Sequence, residues 1–157
     1  MSFLEGKKKE IVQKINKNLI AFEIIILVII LISLGLKSFG IGFWNPLFVF
    51  SFGTLAILYY FTGFREISDE GGSKLTRFVI KLSSFGYSMA LIAILFKMMQ
   101  YKNDFLLLKI SLTTLVVALA FKIYFIEKSP KNKNFTKPDL IRNVILAGVV
   151  AYFYFFT

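Results

Sequence analysis

The chain has 157 residues, of which 57% are hydrophobic, 17% aromatic and only 18% charged, and its formal net charge is +10. That balance lies outside the range of ordinary soluble domains. With neither cysteine nor histidine, disulfides, thiolate and iron-sulfur ligation, the usual haem ligand and the commonest general base are excluded.

The positive charge is spread over segments that flank apolar blocks, not gathered into one basic module. It therefore reads as membrane orientation and attraction to anionic headgroups, not nucleic-acid binding. Residues 1–18, MSFLEGKKKEIVQKINKN, form a basic amphipathic N-terminal segment. The apolar run behind it is long and has no small-residue cleavage pattern before Lys37, so the segment reads as retained. Ile11, Ile15 and Leu19 recur at helical spacing beside Lys7, Lys8, Lys9, Lys14 and Lys17. The pattern fits both a short helix on the membrane surface and a solvated start to the first span.

Five spans follow, at residues 19–37, 45–64, 78–98, 105–126 and 139–156, each near the roughly 20 residues that a hydrocarbon core requires. The chain thus divides into a first transmembrane hairpin (19–64), a cytoplasmic loop (65–77), a second hairpin (78–126), a basic cytoplasmic loop (127–138) and a fifth helix (139–157). Span one, containing FEIIILVIILISL, is bulky on every face and should meet lipid. Asn45-Pro46 opens span two, and Gly71-Gly72-Ser73 breaks the connection to span three. Gly86 and Ala90 in span three, with Ser84 and Ser88, permit close helix approach, as do Ala147, Gly148 and Ala151 in span five. Both helices should therefore be central. Pro138 and Asp139 suit the first turn of span five, where proline lacks nothing needed and an acid meets the positive dipole end.

Alternate connections differ in positive charge. One side carries Lys7, Lys8, Lys9, Lys14, Lys17, Arg65, Lys74, Arg77, Lys128, Lys131, Lys133 and Lys137; the other carries Lys37, Lys97 and Lys102. The positive-inside rule places the N-terminus inside and the C-terminus outside. Aromatic residues cluster at the same boundaries: Phe43-Trp44 and Tyr152 to Phe156 outside, Tyr59 to Phe61 and Phe64 inside.

Four ionisable residues lie about one turn inside their spans on the predicted cytoplasmic side: Glu23, Lys81, Lys122 and Arg142. The lysines can reach water along their stems, with Glu23 paired to Arg142 or Lys81. The alternative is a basic pocket for an anionic lipid headgroup or a partner's acidic group. On the outer side lie Lys37, Lys97, Lys102 and Asp104, where Asp104 suits a cap on span four and can receive Lys37 or Lys97. Lys109, one turn deeper, should reach outward.

A gapless self-alignment places Leu31-Ile32 on Leu91-Ile92, Lys37 on Lys97, Leu47 on Leu107, Ser51 on Ser111, Thr54-Leu55 on Thr114-Leu115 and Phe61 on Phe121. It predicts two parallel helical-hairpin repeats with the fifth helix appended, unlike the inverted repeats of many transporters. Within the second copy, Phe96-Lys97, Tyr101 and the Leu-rich run Leu106 to Leu112 resemble the transmembrane hairpin of the stator-subunit family (GldL) of the Bacteroidetes gliding and type 9 secretion motor. The resemblance covers residues 90–115 and implies a shared hairpin design. Lys102-Asn103 replaces that family's Pro-Gly, and Leu115 stands where it carries an acidic residue, so its ion-handling role does not carry over.

The sequence therefore predicts an all-α integral protein of a bacterial cytoplasmic (inner) membrane with five transmembrane helices. It shows no nucleophile with a base, no paired carboxylates, no phosphate loop and no metal-ligand set. A non-enzymatic subunit or scaffold is expected, without cofactors, partnered by lipids, most simply anionic ones, and by other membrane subunits or its own copies. The alternative is a small carrier or channel for an anion or lipid.

Overall fold

The structure, a computed structural model, describes residues 10, 12–15, 17–40, 42–65, 74–128 and 137–156. Ile11, Lys7 to Lys9 and Gly71 to Ser73 lie outside the described residues. Among those described, regular structure is entirely helical, and five helices are long and apolar enough to cross a membrane. They are α1 (Leu19–Ser38), α2 (Trp44–Thr62), α3 (Lys74–Met98), α4 (Asp104–Lys128) and α5 (Lys137–Phe156). Residues 12–15 are helical ahead of α1. Val12 is buried there, and Ile15 packs against the core.

The helix bounds differ from the expected spans chiefly at the Arg65 end of the bundle. α3 begins at Lys74, four residues before its apolar stretch, so Thr76 and Arg77 are helical instead of forming a loop. α4 runs on to Lys128. Hydropathy marks the part of a helix that suits hydrocarbon, whereas the backbone ladder continues into water at no cost. α2 stops early, at Thr62, where the Thr62 hydroxyl donates to the Tyr59 carbonyl at 2.7 Å.

Two tight turns close the opposite end. α1 ends through Gly40, whose φ of 70° is the left-handed conformation that glycine adopts without a Cβ penalty. α3 ends in a Schellman arrangement: the Tyr101 amide donates to the Phe96 carbonyl at 2.9 Å and the Gln100 amide to the Lys97 carbonyl at 3.1 Å. The Phe96 and Tyr101 rings meet edge to face at 5.2 Å, supplying the apolar contact that accompanies this motif. Gln100 holds the left-handed position with φ 56° although it is not glycine. Gln100→Gly should therefore stabilise the protein by about 1 kcal/mol, read as a later midpoint in denaturing-detergent titrations followed by circular dichroism.

α3 is the centre of the bundle. It packs against α2, α4 and α5, and 61% of its apolar window is buried, against 22% for α1 and 17% for α5. The expected central position holds for span three and must be corrected for span five. Ala147 and Ala151 are half-buried, and a Cβ built on Gly148 meets nothing within 4 Å. Gly148 is exposed, whereas Ala147 packs partly against the core, and the buried positions of α5 are Asp139, Asn143 and Val150. Gly86 and Ala90, by contrast, sit in the α3 core. Leu115, fully buried on α4, lies against Gly86. Core serines satisfy themselves within their own helices: Ser33 donates to Ile29, Ser51 to Leu47, Ser83 to Val79 and Ser111 to Leu108.

Candidate functional site

Polar side chains from all five helices converge at one end of the bundle. Glu23, on the second turn of α1, accepts from Arg142 of α5 through both oxygens; the Arg142 Nη2 to Glu23 Oε2 distance is 2.9 Å. The same guanidinium donates Nη1 to Asp139 Oδ1 at 2.9 Å, one turn earlier on α5. The other Asp139 oxygen, Oδ2, receives Nη1 and Nη2 of Arg65, just beyond α2, both at 3.1 Å. Asp139 is thus clamped between two guanidiniums. Its carbonyl accepts from the Tyr87 hydroxyl of α3 at 2.9 Å, and the Lys122 ammonium of α4 donates to that hydroxyl in turn.

Burial raises the stakes of each contact. The side chains of Arg142, Asp139 and Glu23 are 11, 12 and 15% exposed, and Lys122 as a residue is 2% exposed. Charges withdrawn from water must be paired and hydrogen-bonded, or they cost several kcal/mol each. Aromatic faces help: the Arg142 guanidinium lies 5.5 Å from the centre of the Tyr59 ring and the Lys122 ammonium 4.9 Å from that of Tyr87. The Thr62 and Ser84 hydroxyls share a 2.9 Å hydrogen bond beside the network, joining α2 to α3. Between them, Arg65, Lys122 and Asp139 lies a cavity of about 20 Å³, enough for roughly one water-sized group.

Of the four charges that the sequence groups together, the structure joins Glu23 and Arg142 directly and brings in Lys122 through Tyr87 and the Asp139 carbonyl. Lys81 stands apart: it is exposed, with its ammonium 5.8 Å from the centre of the Phe64 ring. Asp139 and Arg65 complete the network, although the sequence suggested only a helix start and a loop for them. The i, i+3 spacing of Asp139 and Arg142 was the available signal. Asn143, one turn further along α5, is fully buried with neither amide atom hydrogen-bonded among the described residues.

At the opposite end, Lys97 pairs with Asp104 at 3.5 Å, and the Asp104 carboxylate, in the first turn of α4, accepts from the adjacent Phe105 amide at 2.7 Å. Lys97, Lys102 and Asp104 border a depression of about 550 Å³ with Phe153. Lys37 is not among them: its ammonium lies 4.8 Å from the centre of the Trp44 ring. Lys109 is exposed on α4.

A third feature connects the two ends. Between α1 and α5 runs an apolar groove of about 620 Å³, floored by α2 and α3 residues such as Phe48, Leu55 and Leu91. Glu23 and Arg142 line one end of it, Leu34 and Phe153 the other. Its rims, Ile20, Leu27, Ile141 and Ile145, are more than half exposed.

Fold and site together define an all-helical bundle with five helices fit to cross a membrane, tied at one end by a polar network and open between its first and last helices. Comparison with known proteins adds no relative: no protein family, curated protein or solved structure matches the chain.

Proposed function

We propose that the chain is a small multi-pass subunit or scaffold of the bacterial cytoplasmic membrane, which assembles with its own copies or with other membrane proteins and contacts anionic lipid on its cytoplasmic side. The observation that carries this reading is the use made of the buried charges. Glu23, Arg65, Lys122, Asp139 and Arg142 are engaged with one another, with Tyr87 or with backbone, binding five helices into one body. They are spent on holding shape. Around the same end Lys14, Lys17, Lys74, Arg77, Lys81 and Lys137 are exposed, the pattern expected of a face held against anionic headgroups. This is the end that the positive-inside rule assigns to the cytoplasm.

The two hairpins, α1 with α2 and α3 with α4, are proposed to be parallel repeats. Ser51 and Ser111 are both buried and bonded within their own helices, and Leu55 and Leu115 are both core residues. Lys37 and Lys97, equivalent in sequence, have acquired different partners.

The test is the mass of the full chain purified in mild detergent and in nanodiscs, with identification of co-purifying chains. An assembly larger than one chain, recovered in both media, is expected. A lone monomer that carries an anion or lipid across liposomes would establish the carrier reading instead.

A further inference from the structure

We propose that the groove between α1 and α5 binds one phospholipid with an amine-bearing headgroup, its phosphate on Arg142, its ammonium on Glu23 and one acyl chain along the groove. The proposal rests on the membrane-subunit reading and adds to it one zwitterionic lipid held in the groove, distinct from the anionic headgroups met by the exposed lysines.

Shape supplies the first argument. A volume of about 620 Å³ falls within the range of small-molecule sites, roughly 300 to 1,000 Å³. From Ile20 to Leu34 along α1 the groove extends about 21 Å at 1.5 Å per residue, which exceeds half of a hydrocarbon core about 30 Å thick. One acyl chain of one leaflet therefore fits lengthwise. Apart from Glu23, Arg142 and the Tyr59 hydroxyl, the lining is aliphatic, aromatic, methionine or proline, so a chain loses nothing by lying there.

Charge complementarity supplies the second. Both members of the ion pair at the groove's end line it and keep some exposure, 11% for Arg142 and 15% for Glu23. Arg142 spends one hydrogen each from Nε, Nη1 and Nη2 on Glu23 and Asp139, and a guanidinium has five N–H bonds. The second hydrogens of Nη1 and Nη2 remain for a phosphate. Each Glu23 oxygen accepts one bond from Arg142, and the Tyr59 hydroxyl engages the same carboxylate; of the roughly four acceptor sites of a carboxylate, one remains, which suits an ammonium. A headgroup with phosphate alone would set its charge beside the Glu23 carboxylate. One carrying a primary amine beside its phosphate matches both signs without breaking the pair.

The experiment uses the full chain in nanodiscs of equal phosphatidylethanolamine and phosphatidylglycerol, followed by stepwise delipidation and native mass spectrometry. Wild type should retain one phosphatidylethanolamine per chain, preferred about tenfold over phosphatidylglycerol, the effect of one charge-assisted hydrogen bond. Glu23→Gln should bring that preference close to one. Ile145→Trp, on the exposed rim and outside the polar network, should reduce retained lipid of either kind at least tenfold while helical content stays unchanged. Retained lipid that mirrors the bulk, or that is phosphatidylglycerol, overturns the proposal. So does retention of phosphatidylethanolamine by Ile145→Trp at the wild-type level, or a Leu27→Cys, Ile145→Cys protein whose grooves crosslink to a second chain or another protein. Should Glu23→Gln fail to fold, Ile145→Trp alone decides. The same spectra report oligomeric mass: assembly without selective lipid defeats this proposal alone, and selective lipid on a monomer defeats the assembly reading alone.

Discussion

Replacing Asp139 by alanine should destabilise the bundle by about 3 to 5 kcal/mol, the usual consequence of removing one partner from a buried ion pair. The carboxylate is shared: Arg65 reaches one oxygen and Arg142 the other. Without it, the guanidiniums of Arg65 and Arg142 and the Lys122 ammonium gather at one bundle end with Glu23 as the remaining acidic member of the network. Reversible unfolding in mixed micelles, followed by circular dichroism, measures the loss. Removing both members of the Glu23–Arg142 pair, Glu23→Leu with Arg142→Met, should cost less than Arg142→Met alone, because Glu23 is then not stranded. A loss below about 1 kcal/mol for Asp139→Ala would mean that the network behaves as an ordinary solvated surface pair.

Gly86→Leu should cost about 1 to 3 kcal/mol, the range for forcing extra atoms into a packed core. A Cβ on Gly86 would lie 3.2 Å from both Leu115 Cδ2 and Thr114 Cγ2, and a leucine adds three further carbons on that side. Neither helix can yield cheaply: α3 is enclosed by α2, α4 and α5, and Leu115 is fully buried. In lipid, where helices gain nothing by leaving water, close van der Waals contact of this kind is much of what holds them together. The same unfolding assay should show the loss, and Leu115→Ala placed in the Gly86→Leu background should recover part of it. Leucine is a better helix former than glycine, so the loss has no origin in helix propensity, and the recovery marks its cause as steric.

The five helices were legible because length and apolarity are local properties, and so was the central place of α3, announced by Gly86 and Ala90. That Glu23 would pair with Arg142 or Lys81 followed from depth, since each sits about a turn inside its span, where a lone charge is costly, and the structure selects Arg142. Asp139 and Arg65 were not legible as members of the network. Their positions at a helix start and beside a loop give them ordinary local explanations, and only the packing of α2 against α3, and α3 against α5, brings them together. The marginal burial of α5, with Gly148 exposed and Ala147 and Ala151 only half-buried, was missed for a related reason. A small-residue stripe shows that a helix can be approached closely, not how much of it is covered, and on α5 the buried positions are Asp139, Asn143 and Val150. The groove is the least legible feature, since it is an unfilled seam between helices at opposite ends of the sequence.

The link between Glu23 and Arg142 also has a meaning in time. Helices enter a membrane in the order of their synthesis, and this pair joins the first of the five to the last. Until α5 is in place, Glu23 lacks the guanidinium that neutralises it, and Lys122 lacks the carbonyl and the nearby carboxylate of Asp139. A chain without α5 therefore carries stranded charge in its own interior, and the arrival of α5 discharges it. The stability of the bundle thereby reports that its first and fifth helices have met.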